Sequence, residues 1–347
     1  MVKRLSHLLV PLIAIILGLA AGALIMLVSG YSVASGYSAL WNGIFGEIYY
    51  VGETIRQITP YILSGLAVAF AFRTGLFNIG VEGQSLVGWT APVWVGTAFD
   101  GPAYIHLPLA LITAVPQEDY GVIPGILKAR FYVHEVIVTI MMNYIAPHMT
   151  NYIISNVLTD HQDKTGKIHE SASLRSPFLE QITDYSRPHL GIIVALLAAV
   201  IMWFIINKTT KGFELRAVGF NQHASQYAGM SVRKNIMTSM LISGAFAGLA
   251  GAMEGLGTFE YAAVKGAFTG VGFDGIAVAL LGGNTAVGVV LAACLLGGLK
   301  IGALNMPIES GVPSEVVDIV IAIIILFVAS SYAIRFVMGK LKKKGAN

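Results

Sequence analysis

Seven polar side chains fall inside or at the edge of strongly apolar stretches: Asn78, Glu82, Gln84, Asn143, Glu254, Asp274 and Asn284. A carboxylate at mid-bilayer costs about 2.5–3.5 kcal/mol on the insertion scale, so such groups face a cavity or a partner. Amides and a few carboxylates suit a neutral polar solute, and a lone carboxylate suits a coupling ion. A plainer role competes at several positions. Asp274 can cap a short helix, Glu82 can sit in a first helical turn favoured by the dipole, and Asn284 can form a turn. Phe77 and Trp89 are either ordinary membrane aromatics or a platform for a ring-shaped ligand. Other chemistries are missing. The chain has one cysteine and eight scattered histidines, so neither a disulfide framework nor a Cys/His metal set exists. No phosphate loop, H-E-x-x-H or G-x-S-x-G motif occurs; "GGLKIG" at 297–302 lacks the required order. The chain therefore does not hydrolyse ATP itself, and no metal site or nucleophile–base pair is expected.

The elements that must position these residues follow from composition. Of 347 residues, 55% are hydrophobic and only 12% charged, against about 25% charged in soluble domains. The apolar runs approach helix-spanning length rather than the alternating ten-residue segments of a barrel. The expected fold is an all-α polytopic membrane protein of about ten transmembrane helices, near 8–28, 57–73, 84–99, 105–128, 134–158, 189–206, 236–258, 272–283, 285–305 and 316–338. The second and eighth are short and glycine-interrupted. The N-terminal apolar run, Leu8 to Val28, exceeds a usual signal core and reads as an uncleaved span. Residues 1–56 hold that span and an interfacial segment rich in Tyr and Trp, 57–338 form the core, and 339–347 are a basic tail, all in one domain.

Charge supplies an independent check. With both termini cytoplasmic, fifteen lysines and arginines fall on the cytoplasmic side against six outside, as the positive-inside rule requires. Two polar loops remain. Residues 159–188 carry mixed charge without apolar period and read as a solvated outer loop. Residues 207–235 interleave basic residues with Ala217, Val218, Ala224, Tyr227 and Ala228, a pattern of short helices that touch a partner.

Two further patterns bear on packing. "TGLFNIGV" at 74–81 is echoed by "TGVGFDGIAV" at 269–278, and paired glycine-broken segments point to a transport site. "SGAFAGLAGAMEGLG" at 243–257 spaces small residues for close helix contact, within the bundle or with a partner subunit.

Five stretches in order, "FRTGLFNIGVEGQ", "IPGILKARFYVHEVIVTIMMNYIA", "GFELRAVGFNQHASQYAGMSVRKN", "SGAFAGLAGAMEGLG" and "GFDGIAVALLGGN", resemble permease subunits of bacterial ABC importers. The likeness covers roughly residues 55–335 and is strongest to the simple-sugar and nucleoside subgroup. It implies a multi-pass subunit of the bacterial plasma membrane that binds no cofactor, ATP being bound by partner subunits. Those partners are cytoplasmic ABC ATPase subunits, a second permease (a paralogue) and an extracellular solute-binding lipoprotein; nucleic acid is not among them. The family's coupling loop matches 211–234, making Gly212, Glu214, Arg216, Ala217, Gly219, Asn221, Ala224 and Gly229 the coupling candidates. Phe77, Asn78, Glu82, Gln84, Trp89, Asn143 and Asp274 are the candidate substrate path. One departure stands out. "PQED" at 116–119 interrupts the fourth span, so either the helix breaks around a cavity or the coding sequence carries a short compensated frame slip.

The leading expectation is thus an ATP-driven permease for a nucleoside or simple sugar. The alternative is an ion-coupled secondary transporter using Glu82, Glu254 or Asp274.

Overall fold

Backbone groups in an apolar chain must bond internally, and helices fall on each of the ten apolar stretches. A computed structural model describes residues 2–114 and 118–329. Its helices are α1 (Val2–Val28), α2 (Val33–Phe45), α3 (Ile48–Arg73), α4 (Val81–Ala98), α5 (Ala103–Ile112), α6 (Glu118–Phe131), α7 (Glu135–Ile153), α8 (Pro177–Ile182), α9 (Gly191–Lys208), α10 (Thr210–Phe220), α11 (Gln222–Tyr227), α12 (Val232–Met253), α13 (Val271–Leu281), α14 (Ala286–Ser310) and α15 (Ser314–Ala329). Among the described residues there is no strand, only two isolated bridges, Lys164 with Ala263 and Arg175 with His189.

Among the described residues four helices are long and apolar enough to cross a bilayer: α3, α9, α12 with its π-helical extension to Phe259, and α14. Shorter apolar segments lie at Ile15–Val28, Ala103–Ile112 and Val271–Leu281. The fourth expected crossing is divided between α5 and α6. Pro116 and Gln117 lie outside the described residues, while Glu118 and Asp119 open α6. The basic tail 339–347 also lies outside them.

The chain divides into two compact units. One comprises residues 1–54 and 295–347. There α2 and α14 touch backbone to backbone, since a Cβ on Gly302 would sit 2.5 Å from the Leu40 carbonyl. The Tyr37 hydroxyl donates to the Leu19 carbonyl, tying α2 to α1, and a Cβ on Gly22 would meet Val320 of α15 at 2.6 Å. The segment expected at the interface is partly helical, with Trp41 exposed and its ring 4.7 Å from that of Phe45.

The second unit, residues 55–294, is built around α4 and α12. The small-residue stripe of α12 is spent within the chain. A Cβ on Gly251 would lie 1.8 Å from the Ser85 carbonyl, and one on Gly88 would lie 2.4 Å from Gly248. Across the other side of α12, Gly244 meets Gly121 of α6. By contrast α9 turns Ile193, Leu197, Val200, Ile201 and Phe204 outward, each more than half exposed. An apolar face of that extent is the signature of lipid contact.

The segment 159–188 corrects its expectation as a solvated loop. Ile168, Ala172 and Leu174 are buried, and Ile168, His169 and Leu174 donate backbone N–H groups to Glu260, Gly96 and Leu256. The cause is the π-helical turn Glu254–Phe259 at the end of α12, which leaves carbonyls without helical donors. The Arg175 guanidinium takes up those of Gly257 and Thr258, and also pairs with Glu260 at 3.2 Å. Mixed charge in the sequence thus marks a folded cap.

Candidate functional site

Helix α3 stops at Arg73 because Gly75 takes φ +71°, a conformation glycine adopts without penalty. The Leu76 and Gly75 N–H groups return to the Ala71 and Phe72 carbonyls at 3.1 Å each, the paired bonds of a Schellman stop. Helix α4 restarts at Val81. Between them Asn78 is fully buried and divides its amide among three partners. Its Oδ1 accepts from Gly80 N–H (2.9 Å), and its Nδ2 donates to Gln84 Oε1 (2.9 Å) and Ser243 Oγ (2.8 Å). Ser243 passes the chain on to the Ala67 carbonyl at 2.7 Å. Asn143, from α7, holds the other side: Oδ1 accepts from Gly83 N–H and Nδ2 donates to the Ile79 carbonyl, both at 2.9 Å. Buried amides must be satisfied, and these are satisfied by tying α3, α4, α7 and α12 to the break.

Glu82 is likewise fully buried. Its Oε1 accepts from Thr269 N–H (2.6 Å), Thr269 Oγ1 (2.8 Å) and Gly270 N–H (2.9 Å), and its Oε2 from Gly272 N–H (2.7 Å). Helix α13 begins after Gly270, which has no side chain with which to cap it. Glu82 caps it from a distance in sequence, with charge opposite to the helix N-terminal dipole. A Cβ on Gly272 would lie 2.3 Å from Glu82 N, so the two backbones touch. The two similar motifs at 74–81 and 269–278 are therefore packed against one another, joined by one carboxylate.

The remaining path candidates lie around this knot. Phe77 stacks on Phe72 at 4.9 Å. The Tyr61 hydroxyl of α3 donates to Asp274 of α13. Trp89 stacks on Phe259 at 5.3 Å and donates Nε1–H to the Tyr261 carbonyl at 3.0 Å. The Lys265 ammonium lies 4.5 Å over Trp89 and 5.0 Å over Phe259; burial lowers its pKa, opposed by Glu254. Trp89, Glu254, Ser85 and Thr269 border a cavity of only about 10 Å³, at the lower limit for one water. Asn78, Glu82, Gln84 and Asn143 thus sit together in the knot, with Trp89 and Glu254 at a small cavity beside it. Tyr61, Ser243, Thr269 and Lys265 were missed by sequence reasoning. Thr269 had a signal, as the first residue of the second motif. Ser243 begins the small-residue stripe, where its hydroxyl looked like one more small side chain.

The loop at 207–235 folds as α10 and α11. Thr209 caps α10 through Gly212 N–H, and Asn221 caps α11 through Ala224 N–H, each at 3.0 Å. The Asn221 N–H bonds the Ala217 carbonyl. Gly212 has no room for a Cβ against the Ile205 carbonyl of α9, 2.0 Å away, while Gly229 stops α11 at φ +82°. Glu214 Oε2 accepts from Lys211 Nζ and Asn235 Nδ2, each at 3.0 Å. These two hydrogen bonds hold its carboxyl below the usual range. Arg216 Nε donates to the Gly212 carbonyl at 3.3 Å. Gly219 faces the break: its Cβ would lie 2.5 Å from the Arg73 carbonyl, and that of Gly75 would lie 3.2 Å from Gly219 Cα. Meanwhile Phe220 and Tyr227 are almost entirely exposed, at 91% and 95%. The loop therefore reaches the interrupted helix through a glycine–glycine contact while presenting unburied aromatics.

Residues 50–329 match the family described as branched-chain amino acid transport system / permease component. The chain belongs to this permease family. The permease is 96% identical, over the whole of both chains, to the guanosine ABC transporter permease protein NupP of Bacillus subtilis (strain 168). It is 41% identical to the nucleoside ABC transporter permease protein NupB of Lactococcus lactis subsp. cremoris, over 98% of this chain and 95% of that one. A second B. subtilis guanosine permease, NupQ, is 28% identical over 71% of this chain and 79% of its own. No solved structure matches. The permease is a transport component and not an enzyme.

Proposed function

We propose that this permease is the membrane-spanning subunit of an ABC importer for nucleosides, working in a bacterial plasma membrane. The observation that carries the substrate class is identity along the full chain with a guanosine permease. The likeness to NupQ supports a paralogous second permease as the other half of the pathway. Cytoplasmic ATPase subunits bind the ATP and dock on the 211–234 loop, and an extracellular solute-binding lipoprotein delivers the nucleoside. Ten crossings return both termini to the cytoplasm.

The contacts support a mechanism for this coupling. ATPase movement displaces α10, whose Gly219 rests on the Arg73–Gly75 backbone, so the stroke reaches the α3–α4 break directly. The knot around Asn78, Glu82 and Asn143 transmits it as a rigid piece, because the side-chain amides and the carboxylate at the break are each hydrogen-bonded. Helices α4, α12 and α13 tilt together, opening space beside Trp89, Glu254 and Asp274 for a nucleobase ring and its ribose hydroxyls. Such a shift needs two packed arrangements of similar energy, biased by ATP.

The test is nucleoside uptake in cells whose ATP and proton gradient are collapsed separately. Uptake should stop on ATP depletion with the gradient held. Persistence under ATP depletion, with loss on dissipating the gradient, would establish the ion-coupled alternative.

A further inference from the structure

At the end of the spans that carries the coupling loop, a groove of about 270 Å³ opens between α3, α9 and the turn entering α14. Its polar lining is Arg73, Asn207, Asn284 and Thr285, and its outer wall includes Trp203 and Val287, 44% and 67% exposed. Arg73 donates Nε–H to the Asn284 carbonyl at 2.8 Å, and no carboxylate pairs with it among the described residues. The charge within its electrostatic reach is another cation, Arg216. Lys208 adds a third positive group, 5.5 Å from the Trp203 ring. Half-buried guanidinium groups without a counter-charge create a standing demand for an anion.

We propose that this groove binds the headgroup of an anionic phospholipid of the inner leaflet, with its phosphate at Arg73 and an acyl chain along the exposed Trp203 and Val287. The charge calls for an anion, and the exposed apolar wall favours one that carries an acyl chain over a freely soluble one. Trp203 belongs at that depth, where its ring meets both chain and headgroup. The inference rests on the coupling loop being cytoplasmic, as proposed above. The bound phosphate would fix Arg73, whose carbonyl touches Gly219 of α10, linking lipid composition to the coupling loop.

The test is lipid retention. The full-length chain is purified in neutral detergent, mixed with equal phosphatidylglycerol and phosphatidylcholine, and its bound lipid is quantified by mass spectrometry. The parent should prefer phosphatidylglycerol by about fivefold, the contribution of one interfacial cation. Arg73→Gln should lose the preference. So should Val287→Glu, which sets a carboxylate on the exposed rim without disturbing the Arg73–Asn284 bond. Lys164→Gln, which removes one charge from the 159–188 segment, should retain it. Persistence of the preference in either groove variant, or its loss with Lys164→Gln, overturns the assignment. Displacement of phosphatidylglycerol by millimolar inorganic phosphate also overturns it, because a soluble anion would then be the ligand. The readout is independent of transport, so it stands or fails separately from the nucleoside assignment.

Discussion

Replacing Glu82 with glutamine separates a clamp from an ion carrier. The parent carboxylate takes three donors at Oε1 and one, Gly272 N–H at 2.7 Å, at Oε2. Glutamine keeps one carbonyl oxygen, which can serve Thr269 and Gly270. Its amide nitrogen then faces Gly272 N–H, donor against donor. A buried donor left unmet costs about 1–3 kcal/mol. The three surviving bonds lose the ionic component that roughly doubles their strength, and the buried helix terminus loses a charge interaction of up to about 2 kcal/mol. Together these come to about 3–5 kcal/mol, a large part of a typical folding stability. The assay is chemical or thermal unfolding of the purified chain in detergent, followed by tryptophan fluorescence. Glu82→Gln should unfold far earlier than the parent, and Thr269→Val, which removes only the Oγ1 bond, should lose about 1 kcal/mol. An ion-carrying carboxylate behaves differently, since it must tolerate its neutral form during each cycle. If Glu82→Gln is as stable as the parent within about 0.5 kcal/mol yet transport is dead, the clamp is wrong and the carrier role returns.

Three further outcomes are expected. Gly251→Ala would place a Cβ 1.8 Å from the Ser85 carbonyl and force α4 from α12. Overpacking of this kind costs about 1–3 kcal/mol or more, visible as a lowered midpoint in detergent unfolding. Gly219→Ala would put its Cβ 2.5 Å from the Arg73 carbonyl, lifting α10 off the break; nucleoside uptake should fall severalfold with the amount of membrane-inserted protein unchanged. Glu214→Lys removes the acceptor shared by Lys211 and Asn235 and Arg216→Glu reverses a charge on the same helix. Both should abolish uptake while insertion, measured by membrane fractionation, stays intact. Parent-rate uptake would remove the 211–234 loop from coupling.

Much of this protein is determined by local sequence alone. Low charge and apolar runs place the helices, because a backbone in lipid must satisfy its hydrogen bonds in helices or a closed barrel and the runs are too long for barrel strands. Gly75 ends α3 and Gly229 ends α11 by their own conformational freedom. The Gly248 and Gly251 stripe announces a close helix crossing, though only the fold shows that α4 fills it. The loop 159–188 marks the limit. Its mixed charge is identical in a solvated loop and in a cap, and only the carbonyls freed by the π-helical turn at 254–259, far away in sequence, decide between them. The same holds for "TGLFNIGVEGQ". Sequence determines that Asn78 and Glu82 sit beside a helix break and that a similar motif recurs near residue 270. Tertiary structure decides that the two motifs meet, that Asn78 bonds a serine 165 residues away, and that Glu82 caps α13. A buried carboxylate is costly wherever it lies, so sequence can say that Glu82 must have partners. Which partners it has depends on where the chain returns in space.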